Sequence, residues 1–359
     1  MVQFEGVDDF WEIMKAGIAI SPCKKLSNQG GELNTFRDAR DRGGKYLLGQ
    51  IRKDGGFGDP MLGVTDYYKV PSALLVCGFS GAANTLINWI RQYGLMENGD
   101  FGPRPTVDLN SYYYTYYNTW VIKAAYRMGA FDLAQRGMNF LLKFHDPDSG
   151  GFYCHPTDKY APTEQDLWVV SGIGWCSIYT GKLNVARGVG NWMQRIMASQ
   201  PNYPDELWTV YSRASGLITE VIDGDDFRYV LTRDESRDQS FYHPGIAAGF
   251  LCRLYMATGE GEWLKLAVEY MRFCENVGDY HFKLLRAGKV GWAAAMLHTL
   301  TGKEKYREIA IRVGENLIDT QLESGAWMWP VSGQNVPHND ITAEMVVWLD
   351  EIHQATGKD

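Results

Sequence analysis

Apolar residues recur along this chain in two alternating helical patterns. In one they keep to a single face, as in Ala82, Leu86, Ile87 and Ile90, in Leu133, Phe140 and Leu141, and in Trp263, Leu266, Ala267 and Tyr270. In the other they run nearly all round, from Val70 to Cys77, Val169 to Cys176, Gly245 to Phe250 and Gly291 to Leu297. A half-buried helix shows an apolar stripe and a fully buried one shows none, so the alternation predicts two concentric layers of helices. Tight turns lead from the first kind to the second: Asp54-Gly55-Gly56-Phe57-Gly58, Asn98-Gly99-Asp100-Phe101-Gly102, Ser149-Gly150-Gly151-Phe152, Val277-Gly278-Asp279-Tyr280 and Ser324-Gly325-Ala326-Trp327, with Leu207-Trp208 in the fourth unit. The apolar helices end at Gly78, Gly129, Gly181, Gly259, Gly302 and Gly357. Six helix pairs follow. An open solenoid of hairpins is the alternative, but six units suffice to close a ring, and small residues such as Gly172, Gly174 and Gly249 suit close packing around it. The predicted fold is all-α, an (α/α)6 toroid.

Residues 1–34 read as a capping segment and 35–359 as one toroid domain. The fourth unit departs from the pattern between about 201 and 239. There Leu207 to Tyr211, Gly216 to Ile222 and Phe227 to Leu231 are rich in β-branched and aromatic residues, with Asp223-Gly224-Asp225-Asp226 as a solvated turn. A small β excursion over one rim is expected, in the role of a lid or binding loop.

The hairpins and their Gly-aromatic turns resemble the α/α toroids: terpenoid cyclases and protein prenyltransferases on one side, six-hairpin glycosidases and sugar 2-epimerases on the other. Gln50-Ile51-Arg52-Lys53-Asp54-Gly55-Gly56-Phe57 is similar to the Gln-x-x-Asp-Gly-x-aromatic turn of the cyclase group, with one extra residue after the glutamine. The resemblance implies an enzyme with a central cavity and assigns no substrate.

Composition narrows the partners. A net charge of −8 without a Lys/Arg block argues against nucleic acid, which needs clustered cations. No apolar run reaches the roughly 18 residues of a membrane span. Six scattered cysteines without a Cys-x-x-Cys read as reduced core thiols. The start lacks the pattern of a signal peptide, so a cytoplasmic location is expected. A homo-oligomer is left open. Neither ligand-spaced His/Cys pairs nor a Gly-rich phosphate loop occurs, so no metal and no cofactor are expected.

If the apolar helices run parallel, their N-termini share one rim, and polar residues there interrupt otherwise apolar segments. Asp66, Asp166, Asp340 and His243 are the candidates for proton transfer, since such work needs titratable groups inside a cleft. Each acid also sits in a first helical turn, where capping the backbone is the duller role. Tyr67, Tyr68, Tyr113, Trp168 and Tyr242 would shape an aromatic pocket, and Arg286 or Lys289 would hold a substrate carboxylate. The expected activity is a cofactor-free cyclase, isomerase or lyase acting on a small, largely apolar metabolite of terpenoid or polyketide type, by acid–base chemistry or by templating. A carbohydrate-active enzyme of six-hairpin glycosidase or 2-epimerase type is the alternative, and a non-enzymatic protein-binding scaffold the third reading, favoured by a plugged rim.

Overall fold

The computed structural model describes residues 35–104, 111–156, 158–221, 226–233, 236–328 and 337–357. The expected capping segment therefore lies outside the described residues, as do 223–225 of the expected solvated turn. Helix α1 (Phe36–Leu48) lies outside. The first inner position is made of two pieces, α2 (Val64–Tyr67) and α3 (Val70–Val76), followed by outer α4 (Ser80–Trp89). Inner α5 (Tyr116–Arg127) and outer α6 (Phe131–Leu141) form the next step, then inner α7 (Leu167–Tyr179) and outer α8 (Leu183–Ala198). After the short helix α9 (Asp226–Tyr229) come inner α10 (His243–Thr258) and outer α11 (Gly261–Met271). The short α12 (Asp279–Phe282) precedes inner α13 (Gly288–Thr301), outer α14 (Glu304–Asp319) and inner α15 (Asn339–Thr356).

Burial separates the layers as the sequence pattern requires. In α13 every residue from Gly288 to Leu297 is buried, whereas α14 buries Tyr306, Ala310, Val313, Gly314 and Leu317, one face of a helix. Each inner helix packs on the next, α3 on α5, α5 on α7, α7 on α10, α10 on α13 and α13 on α15, and α15 returns to pack on α3. The ring is closed. Outer α1 packs on α15 and so joins the two ends of the chain.

Two glycines show what closure demands. A Cβ on Gly249 of α10 would lie 2.3 Å from the Trp292 ring, so the indole fits between α10 and α13 only because that side chain is missing. In the second turn, Gly99 has φ 93° and a Cβ there would lie 2.6 Å from the Arg136 carbonyl oxygen. The same turn is pinned by a bridge between Leu95 and Phe101, and the first by one between Ile51 and Phe57. Among the described residues no helix is long and apolar enough to cross a membrane.

The β excursion exists but is wired differently from the expectation. Strand β1 (Glu164–Asp166), which no β signal marks, pairs antiparallel with β3 (Val210–Ser212), and β3 with β4 (Gly216–Leu217). Strand β2 (Glu206–Trp208) pairs with β5 (Val230–Thr232). Phe227 to Tyr229, expected in a strand, instead form α9: their carbonyls are taken by side chains, with Ser240 Oγ donating to Phe227 O at 2.9 Å and Thr209 Oγ1 to Arg228 O at 2.8 Å. Pairing partners are unnecessary once those groups are satisfied. The consequence for the rim is direct, because β1 runs straight into α7 and fixes its first residues.

Candidate functional site

Asp166 closes β1 and caps α7. Its Oδ1 accepts from the backbone N–H of Trp168 at 2.8 Å and of Val169 at 3.3 Å, which satisfies two of the free donors at that helix start. The capping role expected of the residue type is therefore real, yet it uses one oxygen only. Asp166 Oδ2 stands 3.4 Å from His243 Nε2, and both side chains are fully buried. Neither atom has a hydrogen-bond partner among the described residues.

His243 opens α10 and is oriented by its other nitrogen, Nδ1, 3.0 Å from the Ser240 carbonyl oxygen. A carbonyl only accepts, so Nδ1 carries a hydrogen and Nε2 holds the lone pair when the ring is neutral. That lone pair then faces a carboxylate oxygen. Two acceptors at this distance call for one proton or one donor between them, and the pair is thus arranged to hold, give or take a single proton.

Aromatic rings cover the pair. Trp168 lies 4.5 Å from Tyr113, 4.2 Å from Tyr116 and 4.7 Å from Tyr242 between ring centroids, and Tyr242 lies 4.7 Å from the His243 ring. Trp168 is half-buried and the other rings are buried. Burial holds the phenols of Tyr113, Tyr116 and Tyr242 well above their ordinary value, so they remain hydrogen-bond donors.

Beneath them lies an ionic cluster. Lys69 Nζ is 2.7 Å from Asp340 Oδ1 and also pairs with Glu344, and Lys289 pairs with the same glutamate. Trp348 Nε1 donates to Glu344 Oε1 at 3.0 Å. Burial alone would raise the Glu344 carboxyl, but the ammonium groups of Lys289 and Lys69 outweigh it and hold the group well below the usual carboxylate range. Burial pulls Lys289 down, against the pull of Glu344. For Lys69 burial is overcome by Asp340 and Glu344, and its ammonium is held above the ordinary value. Lys289 Nζ also lies 5.5 Å from the Trp168 ring and 5.4 Å from that of Tyr242, so its charge reaches the aromatic stack.

Asp66 lies beside this cluster. It accepts from Asn339 Nδ2 at 3.0 Å and from the Asp59 backbone N–H at 3.1 Å. Burial raises its carboxyl above the ordinary value despite those bonds.

The structure thus brings Asp66, Lys69, Asp340, Glu344 and Lys289 to one part of the rim, and Asp166, His243, Trp168, Tyr113 and Tyr242 to another. Tyr68 joins them, 4.9 Å from Tyr117 and 6.3 Å from Tyr116. Two expected residues are placed differently. Tyr67 turns away from the axis, donating to the Gly102 carbonyl at 2.7 Å with its ring 5.8 Å from Trp89, because one step along a helix rotates a side chain by about 100°. Arg286 is bound to Asp238 at 2.8 and 3.0 Å, so its charge is already answered. The sequence pattern alone assigns Lys69 and Glu344 no role. The signal for them is an ionisable residue on an otherwise apolar inner helix. A cleft of about 480 Å³ lies off the axis between the first two turns, lined by Arg52, Phe57, Asp59, Tyr67, Trp89 and Tyr93 among others. It does not include the Asp166–His243 pair.

With this geometry in hand, comparison with solved structures finds the same α/α toroid architecture elsewhere. No protein-family model matches the chain, and no curated protein matches it. Solved structures do. A D-mannose isomerase aligns over 91% of this chain and 100% of its own, at 12% identity and a TM-score of 0.67. An α-1,6-mannanase of Salegentibacter sp. HEL1_6, solved with α-1,6-mannotriose, aligns over 89% and 99%, at 11% identity and a TM-score of 0.63. A sugar epimerase from a ruminal bacterium aligns over 89% and 98%, at 14% identity and a TM-score of 0.63. At these identities the likeness establishes the fold. By their names these three act on sugars, and none is a terpenoid cyclase.

Proposed function

We propose that this chain is a carbohydrate-active enzyme that interconverts sugars by moving a proton at the carbon next to the carbonyl, with His243 as the base. The observation that carries this reading is the buried, unsatisfied pair of His243 Nε2 and Asp166 Oδ2 at 3.4 Å, held under an aromatic stack. The resemblance of the fold to a mannose isomerase and a sugar epimerase supports it.

In an open-chain aldose, neutral His243 takes the proton from C2 and becomes an imidazolium beside Asp166, leaving an enediolate. A sugar hydroxyl donating to Asp166 Oδ2 fills the position that the free site leaves without a donor. The Lys289 charge and the phenols of Tyr113 and Tyr242 favour the negative charge that builds on the substrate oxygens. Return of the proton to C1, with passage of a proton from O2 to O1, gives the ketose; the carbon-to-carbon transfer needs only one base on one face. Inversion at C2 needs a proton donor on the other face as well, which the Asp166–His243 pair alone does not supply. Trp168 offers a half-buried ring face for stacking against the sugar.

Glycoside hydrolysis is less well served. It needs one carboxyl that is protonated and another that is free. Glu344 is held as an anion between two lysines, Asp340 is paired with Lys69, Asp166 has one oxygen committed to the helix cap, and Asp66, although raised by burial, is bound by Asn339 and the Asp59 backbone N–H. An inactive variant of the similar mannanase carries asparagine at two consecutive aspartate positions. Of the consecutive aspartates of this chain, Asp8-Asp9 and Asp225-Asp226, Asp8, Asp9 and Asp225 lie outside the described residues.

Binding without turnover is the second reading, favoured by the filling of the axis with rings and ion pairs. Incubating the protein with a panel of aldoses, ketoses and α-mannosides and resolving the products separates the three. Ketose or epimer from an aldose supports the proposal, free sugar from a mannoside supports hydrolysis, and saturable binding with no product supports the second reading.

A further inference from the structure

Four tryptophans from four inner helices cross the axis below the ionic cluster. Trp175 stacks on Trp292 at 4.7 Å, Trp292 on Trp348 at 4.8 Å, and Trp348 meets Trp120 edge-on at 5.5 Å. Lys123 completes the circle, with its Nζ 3.6 Å from the Trp175 ring centre and 4.1 Å from that of Trp120. This layer separates the rim described above from the opposite mouth of the toroid.

Lys123 is the eighth residue of α5 and only 4% exposed, and no hydrogen bond or ion pair of its ammonium is found among the described residues. Around it the described groups are short of acceptors. The indole N–H groups of Trp175 and Trp292 and the Nε–H of Arg253 are buried and have no acceptor among the described residues. Glu351 does not supply one: its carboxylate is bound to the other end of the same guanidinium, at 3.0 and 3.2 Å from Arg253 Nη2. Asp350 is likewise committed, 2.6 Å from Arg40. Arg253, Arg127 and Lys123 act on Glu351 as cations, with Asp350 acting against them. Arg253 and Glu351 are 24% and 27% exposed, which connects the cluster with solvent.

We infer that the mouth at the C-terminal ends of the inner helices binds a small carboxylate between Lys123 and Arg253, in a site separate from the catalytic rim. Its oxygens supply the acceptors that Lys123 Nζ and Arg253 Nε lack, and its charge answers that of Lys123. Without such a partner, burial pushes the Lys123 ammonium down to about 7, the behaviour of a buried cation with no counter-ion. The negative ends of the helix dipoles disfavour an anion at the outermost turn, but Lys123 lies a full turn inside the end of α5 at Arg127.

Formate is the probe, titrated calorimetrically into the full chain at constant ionic strength. Wild type should show saturable binding at one site. K123M should lose at least tenfold in affinity, K123R should retain part of it, and H243N, altered only at the rim, should bind as wild type does. Heats that do not saturate in wild type, the result if water alone fills the space, overturn the inference, and so does undiminished binding by K123M. If circular dichroism shows K123M to be unfolded, R253Q takes its place: a loss of severalfold or more supports the site and unchanged affinity overturns it.

Discussion

His243 Nε2 and Asp166 Oδ2 face each other at 3.4 Å inside the toroid, each without another hydrogen-bond partner among the described residues. Their positions come from two different devices. Asp166 is fixed by β1 and by the α7 backbone N–H groups, and His243 by the Ser240 carbonyl. Asp166→Asn keeps an oxygen for the helix cap and removes the charge beside the imidazole. The expected result is a fall in turnover of about 10² to 10⁴-fold, the usual weight of acid–base catalysis, with circular dichroism unchanged.

The Lys69–Glu344–Lys289 cluster makes an asymmetric prediction. Glu344 neutralises two buried ammonium groups, whereas each lysine answers part of one carboxylate or two. Glu344→Gln leaves both lysines uncompensated and should cost about 3 to 5 kcal/mol in denaturant unfolding, more than Lys289→Met. Equal losses would mean that the cluster is not organised around Glu344.

Acid titration should resolve Glu344 and Asp66 with opposite signs. Glu344 is held below its ordinary 4.5, so the folded state binds fewer protons than the unfolded one. Its stabilisation is complete above about pH 4.5 and is lost as pH falls toward the folded value. Asp66 is held above its ordinary 3.8, so its contribution is fully present below that value and is lost as pH rises through the folded value. Stability of Asp66→Asn relative to wild type should therefore grow from pH 4 to pH 7, and Glu344→Gln should flatten the acid limb. Chemical unfolding at several pH values reads both.

Gly249→Ala tests ring closure. The added Cβ meets the Trp292 ring at 2.3 Å, and that indole stacks on both Trp175 and Trp348, so it has no free direction in which to move. A loss of about 1 to 3 kcal/mol is expected from overpacking, together with a shift of tryptophan fluorescence.

Much of this fold can be read from residue patterns because the layers differ in kind. Ten consecutive buried residues in α13 and a single stripe in α14 are visible without coordinates. The rim is visible for a similar reason, since Asp66, Asp166, Asp340 and His243 interrupt helices that are otherwise apolar. What escapes is pairing at long range. Glu164 to Asp166 carry no β signal and become a strand only because Val210 to Ser212 lie alongside. Which charges meet is equally hidden: Lys289 pairs with Glu344 and Arg286 with Asp238. The choice between Tyr67 and Tyr68 rests on one residue of helical phase. Aromatic rings and acids around a rim suit an apolar metabolite and a sugar equally, so residue patterns do not choose between them.

Deuterium uptake tests the proposed chemistry most directly. Wild-type protein and His243→Asn are incubated in D₂O with the aldose that the panel identifies, and substrate and product are followed by NMR. Proton transfer through His243 predicts solvent deuterium at C1 or C2 with wild type and at least a hundredfold less with His243→Asn. Equal deuterium uptake by the variant, or conversion by wild type with no deuterium entering at any time, would contradict it.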